Sequence, residues 1–302
     1  MNTAVFEAHI SAQIDDRIDG KTFVDNTELF STLDHVTPSY VRDTGCWASD
    51  ISNIACIAVA NEITTSAPLE DSRGAGILVS PRHIIMADHY RVASGWIRFV
   101  DDDDNLYEYE VVDTLSLDGL YGDNQDIRVS YLNQDVDSSL GFADVMPSGS
   151  LDWLDNSADV PLFAYDVRLG STLDPFLPRA TVVENQLFIG VNPITLNIDN
   201  QRVNTPNPIT SPQRYEFYDS KEVGDSGSPI CVVINDELVL LATFWLSNAG
   251  TAIMKLYDLV NTAMATLSLN NGVVEGVGDD NYQLTDVDLD SFRVTVAGKW
   301  IL

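Results

Sequence analysis

Basic residues are scarce in this chain. Among its 302 residues, 16 are lysine or arginine and 46 are aspartate or glutamate, which gives a formal net charge of −30. Such an acidic surface repels nucleic acid and anionic membranes over about a Debye length, ~8 Å at physiological salt. We therefore expect neither as a partner. The charge is typical of a protein adapted to high salt, and equally of one kept soluble by its surface.

Long apolar runs are absent, because no stretch approaches the ~20 residues that span a bilayer. The first residues, MNTAVFEAHISAQIDD, have no basic start and no apolar core, so no secretory signal is visible. Cysteine is also rare. The sequence leaves open whether Cys46 and Cys56 form a disulfide, and it predicts that Cys231, in an apolar run, is a small buried side chain.

Helical patterns are few, and short apolar segments between turn residues predominate. The segments typical of strands are CIAVA, GILVS, WIRFV, YEYEVV, RATVV, LFIGV and LVLLATFWL. Helical spacing from Leu256 to Leu267 predicts a helix near the C-terminus, and the spacing of Phe6, Ile10, Ile14 and Ile18 predicts one near the N-terminus. The sequence therefore predicts an all-β protein with a C-terminal helix.

The octet VGDSGSPI, residues 223–230, presents a serine between glycines. Gly224 and Gly227 let the backbone turn sharply around Ser226 and let another molecule approach closely. The amides of Gly224 and Ser226 can point together at a developing negative charge, as an oxyanion hole requires. Without partners the octet is a turn between strands, because a serine needs a base and usually a carboxylate to become a nucleophile.

Histidine, the usual base, occurs four times, and every copy precedes Ser226. This order excludes the Ser, Asp, His arrangement of the α/β-hydrolases. His89 follows an apolar, strand-like run, and a histidine at a strand end can face a cleft. His83 lies inside that run and is expected to be structural, while His9 and His35 have no partner pattern.

The segments LVSPRHIIMADHY and GDSGSP resemble the histidine and serine signatures of the trypsin/chymotrypsin-like serine peptidases. Their usual forms are close to L-[ST]-x-x-x-[VI]-[LV]-T-A-A-H and G-D-S-G-[GS]-P. The match is specific at the serine and departs at Met86-Ala87-Asp88, where the family usually has Thr-Ala-Ala. The resemblance implies that Ser226 is the nucleophile and His89 the general base and acid.

The resemblance also implies an aspartate at the start of a strand between these two residues. Asp126 opens the alternating run of NQDIRVSYL and is the predicted third member. The alternatives that remain open are Asp113, Asp118, Asp123 and Asp135.

Over about residues 50–269, the resemblance implies two six-stranded antiparallel β-barrels that meet at a cleft. We expect the first barrel, with His89 and Asp126, in residues 46–150, and the second, with Ser226 and the helix, in residues 151–269. Residues 1–45 and 270–302 are then extensions that brace the barrels or dock the protein onto a partner. The positions that form the primary substrate pocket in the family correspond here to Ser220, Trp245, Leu246 and Ser247.

The predicted chemistry needs no metal and no cofactor. The tetrad Asp101–Asp104 offers the oxygen ligands that calcium takes, and members of the family sometimes bind calcium in a loop at about this distance after the histidine. Because the tetrad separates two strand-like runs, a solvated hairpin tip is the favoured interpretation and calcium the alternative.

Together these features predict a serine endopeptidase that cleaves protein or peptide substrates through an acyl-enzyme. The first alternative is a catalytically silent trypsin fold that serves as a binding or structural part of an assembly such as a phage particle. The second is an esterase with the same three residues. Secreted members of the family commonly have several disulfides, one of them at a cysteine next to the catalytic histidine, where this chain has Tyr90. This departure suits a bacterial or viral relative, for which an extracellular or virion-associated location is the hypothesis.

Overall fold

Sheet dominates the architecture. The computed structural model describes residues 3–34, 38–61, 76–89, 95–119, 125–148, 160–169, 185–197, 202–204, 212–218, 226–246, 249–273, 282–292, 294–296 and 299–301. These residues form a sheet-rich structure with few helices, which includes a curled half-barrel of 5 antiparallel strands. The expectation of a sheet-rich protein is confirmed at this level. The expected division at residue 150 lies outside the described residues.

The helices and strands have the following bounds. The helices are α1 (Thr3–Ile18), α2 (Phe23–Asn26), α3 (Pro212–Glu216) and α4 (Tyr257–Asn270). The strands are β1 (Phe30–Asp34), β2 (Ser39–Arg42), β3 (Ala60–Asn61), β4 (Ile77–Ser80), β5 (His83–Ala87), β6 (Gly95–Val100), β7 (Leu106–Ser116), β8 (Ile127–Leu132), β9 (Asp144–Val145), β10 (Val160–Leu169), β11 (Asn185–Asn197), β12 (Arg202–Asn204), β13 (Pro229–Ile234), β14 (Glu237–Leu246), β15 (Ala249–Ala252), β16 (Val294–Val296) and β17 (Lys299–Ile301).

The first sheet has the strand order β3-β6-β7-β8-β5-β4, and all of its pairs are antiparallel. β8 lies between β7 and β5, so the end of β5 and the start of β8 are neighbours. The strand expected over CIAVA, residues 56–60, forms only in part, since Cys56 ends a turn, Ile57 forms an isolated bridge with Ile77 and Ala60 enters β3. Ile54–Cys56 form a 3₁₀ turn, closed by a hydrogen bond from the Cys56 amide to the Asn53 carbonyl (3.0 Å), and only Ala60 of that segment enters β3.

The second sheet has the order β13-β10-β11-β12-β15-β14-β9, and β13 pairs with β14 as well as with β10. β9 joins β14 in parallel, and the other pairs are antiparallel. Ser226 lies three residues before β13, so this sheet carries the serine of the octet.

Both chain extensions pack against the sheets. Phe6, Ile10, Ile14 and Ile18 are fully buried on one face of α1, which confirms the helix that their spacing predicts. The Phe6 ring meets that of Phe292 edge to face, with centroids 5.2 Å apart. The predicted C-terminal helix is α4, which packs against β7 and β8 of the first sheet.

The three cysteines are buried and free, so Cys46 and Cys56 do not form the disulfide that the sequence left open. Burial raises the pKa of the Cys46 thiol to about 12, and it also raises that of Cys231. Each thiol is therefore held in its neutral form. The expectation that Cys231 is a small buried side chain is confirmed.

Candidate active site

The register of β5 and β8 places His89 beside Asp126. Ala87 pairs with Ile127, and the Asp88 amide donates to the Asp126 carbonyl at 3.1 Å, which extends the ladder beyond the two strands. Asp126 has a positive φ of 46°, in the left-handed region that aspartate tolerates better than most residues. This turn brings its carboxylate toward His89.

Ser226 enters the site from the second sheet. Ser226 and Gly227 form a turn, in which Gly227 has a φ of 88°, a conformation that favours glycine. The Gly227 amide donates to the Phe244 carbonyl at 2.7 Å, and the Phe244 amide donates to the Ser228 carbonyl at 2.8 Å. These backbone bonds tie the turn to β14.

Ser226, His89 and Asp126 form a continuous hydrogen-bonded row. Nε2 of His89 lies 2.9 Å from Oγ of Ser226, and Nδ1 of His89 is hydrogen-bonded to Oδ2 of Asp126. The His89 amide donates to Oδ1 of Asp126 at 2.9 Å, so both carboxylate oxygens hold the same residue. With Nδ1–H donating to the carboxylate, Nε2 is the ring nitrogen that accepts from the Ser226 hydroxyl.

The two ends of the row are buried, since only 9% of Ser226 is exposed, and its middle, the imidazole of His89, is the open part. The side chain of Asp126 is 6% exposed and that of His89 is 48% exposed. Burial raises the pKa of Asp126, hydrogen bonds and charge from His89 oppose the rise, and the charge of Asp88 adds to it. The imidazole is therefore the most exposed part of the row.

A hydrogen bond between the sheets supports this arrangement. Oγ1 of Thr251, in β15, donates to the carbonyl of Gln125 at 2.5 Å, and both residues are buried. Because Gln125 directly precedes Asp126, the second sheet holds the segment that positions the carboxylate.

Of the other aspartates weighed above, the described ones have different partners. Asp113 accepts from the Asn271 side chain at 3.1 Å, and Asp118 accepts from the Gln125 amide at 3.2 Å. Asp135 forms an ion pair with Arg82 at 2.6 Å. Asp123 lies outside the described residues.

The predictions for the oxyanion hole and the substrate pocket fall largely on undescribed residues. Gly224, Ser220 and Ser247 lie outside the described residues. Trp245 is half-buried near the end of β14, and Leu246 is the last residue of that strand. The assignment of these residues to a pocket stays a prediction.

His83 is a core residue, as expected. Its Nδ1 lies 2.9 Å from Oγ of Ser80 and its Nε2 lies 3.1 Å from the Met264 carbonyl, which joins the first sheet to α4. Burial lowers the pKa of His83 to about 4, so its ring is neutral at physiological pH. His9 lies in α1, where its Nε2 accepts from the Asn235 amide at 3.3 Å, and His35 is outside the described residues.

The aspartate tetrad closes the β6–β7 hairpin, but its first member is not solvated. Asp101 is 3% exposed, and its carboxylate accepts hydrogen bonds from Asn105, Tyr107 and Ser139 as well as from the Asp103 amide. Burial acts to raise the pKa of Asp101, but these hydrogen bonds outweigh it and lower the pKa. The Asp101 carboxylate thus organises the hairpin tip, which is the role that Asx turns give this residue type.

One feature next to the row was missed at the level of sequence. Arg128, in β8, donates from Nε to Oδ1 of Asp88 at 2.6 Å. Both residues lie within two positions of His89 or Asp126. Opposite charges at the ends of two neighbouring strands are the sequence feature that could have indicated this pair.

Within the described ranges, no group of three or more His, Cys, Asp or Glu side chains is placed to hold a metal ion. No helix of the described part of the chain is long and apolar enough to cross a membrane. A scan against protein-family models finds no match to the sequence, and a comparison with curated proteins also finds none.

Proposed function

We propose that this protein is a trypsin-like serine endopeptidase, with Ser226 as nucleophile, His89 as general base and acid, and Asp126 as the orienting carboxylate. The observation that carries the proposal is the hydrogen-bonded row from Oγ of Ser226 through the imidazole to Asp126. It joins residues 137 positions apart in the chain and is built from two different sheets. The residue types, their order and their contacts are those that nucleophilic catalysis by serine requires.

The proposed fold consists of two six-stranded barrels. In the second sheet, the pairing of β13 with both β10 and β14 supports closure into a ring of six strands. In the first sheet, the segment leading into β3 supports closure, because Ile57 bridges Ile77 of β4 while β3 pairs with β6. The catalytic row would then lie where the two barrels meet.

The chemistry follows from the two nitrogens of His89. Oγ of Ser226 attacks the substrate carbonyl carbon while its proton passes to Nε2, and Asp126 stabilises the imidazolium that forms. The imidazolium then gives this proton to the departing amine, which leaves an acyl group on Ser226. Water, deprotonated by His89, hydrolyses the acyl-enzyme and restores the serine.

Backbone amides would stabilise the tetrahedral intermediate. We assign this role to the amides of Gly224 and Ser226, in the octet that carries the nucleophile. Ser220 is assigned to the base of the primary pocket, with Trp245, Leu246 and Ser247 as its wall. An uncharged residue at the base of the pocket favours apolar or small substrate side chains over arginine and lysine.

Covalent labelling with a fluorophosphonate tests the proposal. An activated serine reacts with this probe, whereas a serine without a base does not. Peptide mapping should find the label on Ser226, and His89→Ala should abolish it. Ser226→Ala removes the acceptor, and Ser228→Ala is the matched control, because Ser228 is a buried serine in the same turn and its loss should leave labelling intact.

The labelled and unlabelled proteins are then assayed on peptide and ester substrates. Cleavage of peptides that is lost in Ser226→Ala supports an endopeptidase, and hydrolysis of esters alone would replace it with an esterase. Absence of labelling in a sample that is folded by circular dichroism would overturn the enzyme proposal in favour of a silent binding module.

A further inference from the structure

The hairpin of β14 and β15 reaches both ends of the catalytic row. On the serine side, the Gly227 amide donates to the Phe244 carbonyl at 2.7 Å, which ties the turn that carries the serine to β14. On the aspartate side, Oγ1 of Thr251 donates to the carbonyl of Gln125 at 2.5 Å, directly before Asp126 in the chain. Phe244 and Thr251 are thus the two anchors of this hairpin.

The ladder between β14 and β15 fixes the spacing of the two anchors. Thr243 pairs with Thr251 and Phe244 pairs with Gly250, so the anchors are diagonal neighbours across the ladder. A Cβ atom at Gly250 would overlap the carbonyl oxygen of Thr243, so this close approach of the strands requires glycine. All four residues of β15 are buried. The backbone, rather than flexible side chains, therefore sets the distance between the anchors.

The Thr251 hydroxyl restrains a backbone segment whose conformation is costly. Thr251 is 2% exposed and Gln125 is 3% exposed, so their hydrogen bond is shielded from water. Asp126, which follows, has a positive φ of 46°, and such a conformation persists only where the surroundings determine it. The Gln125 amide donates to Asp118 of the first sheet at 3.2 Å. The bond from Thr251 adds the restraint that comes from the second sheet.

We propose that Thr251 is a positioning residue, which sets the place of the Asp126 carboxylate relative to Ser226. It does so by tying the segment before Asp126 to the same hairpin that holds the serine turn. The contacts close a ring, from Ser226 through its turn, β14, β15 and Gln125 to Asp126, and back through His89. This inference rests on the proposed peptidase function for its kinetic test, but not for its spectroscopic one.

Thr251→Val should impair the chemical step more than substrate binding. Valine removes the hydroxyl but keeps the β-branched shape that suits a strand. The carboxylate, and the imidazole that it orients, then lose a restraint on their place relative to Ser226. We expect kcat and kcat/KM to fall together by about 10- to 100-fold, the loss that follows from a misplacement of about one ångström. Labelling of Ser226 by a fluorophosphonate should slow as well, because it depends on the same base.

Three further variants separate the hydrogen bond from packing. Thr251→Ser and Thr251→Ala differ from each other by the hydroxyl alone, so serine should retain most of the activity and alanine should resemble valine. This pair also tests the proposal if Thr251→Val does not fold. Thr243→Val is the matched control, because Thr243 is a buried threonine directly across the ladder from Thr251. Its hydroxyl has no hydrogen-bond partner among the described residues, so its loss should leave kcat unchanged.

The measurement is made twice, by kinetics on a peptide substrate and by the proton NMR resonance of His89 Nδ1–H, assigned with His89→Ala. This proton lies in the bond to Asp126, so its chemical shift reports the position of the carboxylate without any catalysis. A lower kcat and a moved resonance in Thr251→Val or Thr251→Ala, both restored in Thr251→Ser, support the proposal. An unmoved resonance in the folded variants, or equal losses in Thr251→Ser, would overturn it. A moved resonance in a protein whose wild type cleaves no peptide would overturn the proposed function and leave the positioning role standing.

Discussion

At the scale of the residue, Asp126 is the most constrained group of the candidate site. Its backbone is in the left-handed region, its side chain is buried, and both of its carboxylate oxygens are bonded to His89. Few substitutions preserve this conformation. Asparagine does, because it tolerates the left-handed region and matches aspartate in shape.

Asp126→Asn should therefore fold normally and lose activity. An amide nitrogen facing Nδ1 favours the imidazole tautomer that carries its proton on Nε2, which then cannot accept the proton of Ser226. We expect kcat to fall by a factor on the order of 10⁴, measured with a peptide substrate, while the circular dichroism spectrum is unchanged.

The control for this prediction is Asp118→Asn. Asp118 accepts a hydrogen bond from the Gln125 amide and lies on the surface, so loss of its charge should change kcat by less than about twofold. Full activity in Asp126→Asn would keep a serine enzyme but transfer the orienting role to another aspartate.

At the scale of the element, the C-terminal segment joins the second sheet through β9. The Val145 amide donates to the Thr285 carbonyl at 2.8 Å, and the Val287 amide donates to the Val145 carbonyl at 3.0 Å. This junction brings three carboxylates together, those of Asp144, Glu237 and Asp286. Burial, followed by the charges of Glu237 and Asp286, raises the pKa of Asp144 to about 6.

Asp144→Asn should stabilise the protein above neutral pH. A carboxyl whose pKa is higher in the folded than in the unfolded state stabilises the fold when protonated, and this contribution is lost as the pH rises through about 6. The amide mimics the protonated form. We expect the variant to be more stable by about 1 to 2 kcal/mol at pH 8, and equal to the wild type below about pH 4.

Urea unfolding across this pH range measures the difference. Asp103→Asn, at the exposed tip of the β6–β7 hairpin, is the control and should change the free energy of unfolding by less than about 0.5 kcal/mol. A destabilised Asp144→Asn at pH 8 would contradict the prediction.

Helices and strands whose apolar residues repeat at one clear spacing could be predicted from the sequence. The apolar face of α1, the helix α4 and the hairpin of β4 and β5 follow from spacing and turn residues, because local geometry alone determines them. The turn at Ile54–Cys56 could not be predicted, because its apolar residues are also typical of a strand. The backbone conformation of Asn53 determines that a turn forms instead. The parallel pairing of β9 with β14 depends on residues nearly a hundred positions apart, which no local pattern encodes.

The candidate site was predictable only in part, for a related reason. The motifs identify Ser226 and His89 by residue type and order, and the alternating run after Asp126 selects one aspartate among several. The Asp88–Arg128 pair appears only when the register of β5 and β8 is known. The roles of Gly224, Ser220, Trp245, Leu246 and Ser247 stay predictions.

At the scale of the whole molecule, the excess of negative charge is the dominant feature. The net charge is −30, so most carboxylates have no basic partner available anywhere in the chain. The ion pairs that do form cluster where elements meet, as when Arg17 of α1 contacts both Asp50 and Asp236, at 3.1 and 2.6 Å. Repulsion among the remaining carboxylates opposes the compact state.

The melting temperature should therefore rise with salt. Increasing NaCl from about 20 mM to about 1 M shortens the Debye length from above ~10 Å to about 3 Å and screens this repulsion. NaCl is preferred to sulfate, because sulfate also strengthens the burial of apolar surface. A melting temperature that stays constant or falls as NaCl increases would contradict an adaptation of the surface to high salt.

The row of Ser226, His89 and Asp126 spans the boundary between the two sheets. Its hydrogen bonds therefore depend on how accurately the two sheets are positioned against each other. Contacts such as that of Thr251 with Gln125 hold the two sides in register there. A slip of about one ångström would part Oγ from Nε2 while each sheet kept its own hydrogen-bonded ladders. Under mild heat or denaturant, we expect the proposed activity to be lost before the fold, ahead of any change that spectroscopy of the backbone detects.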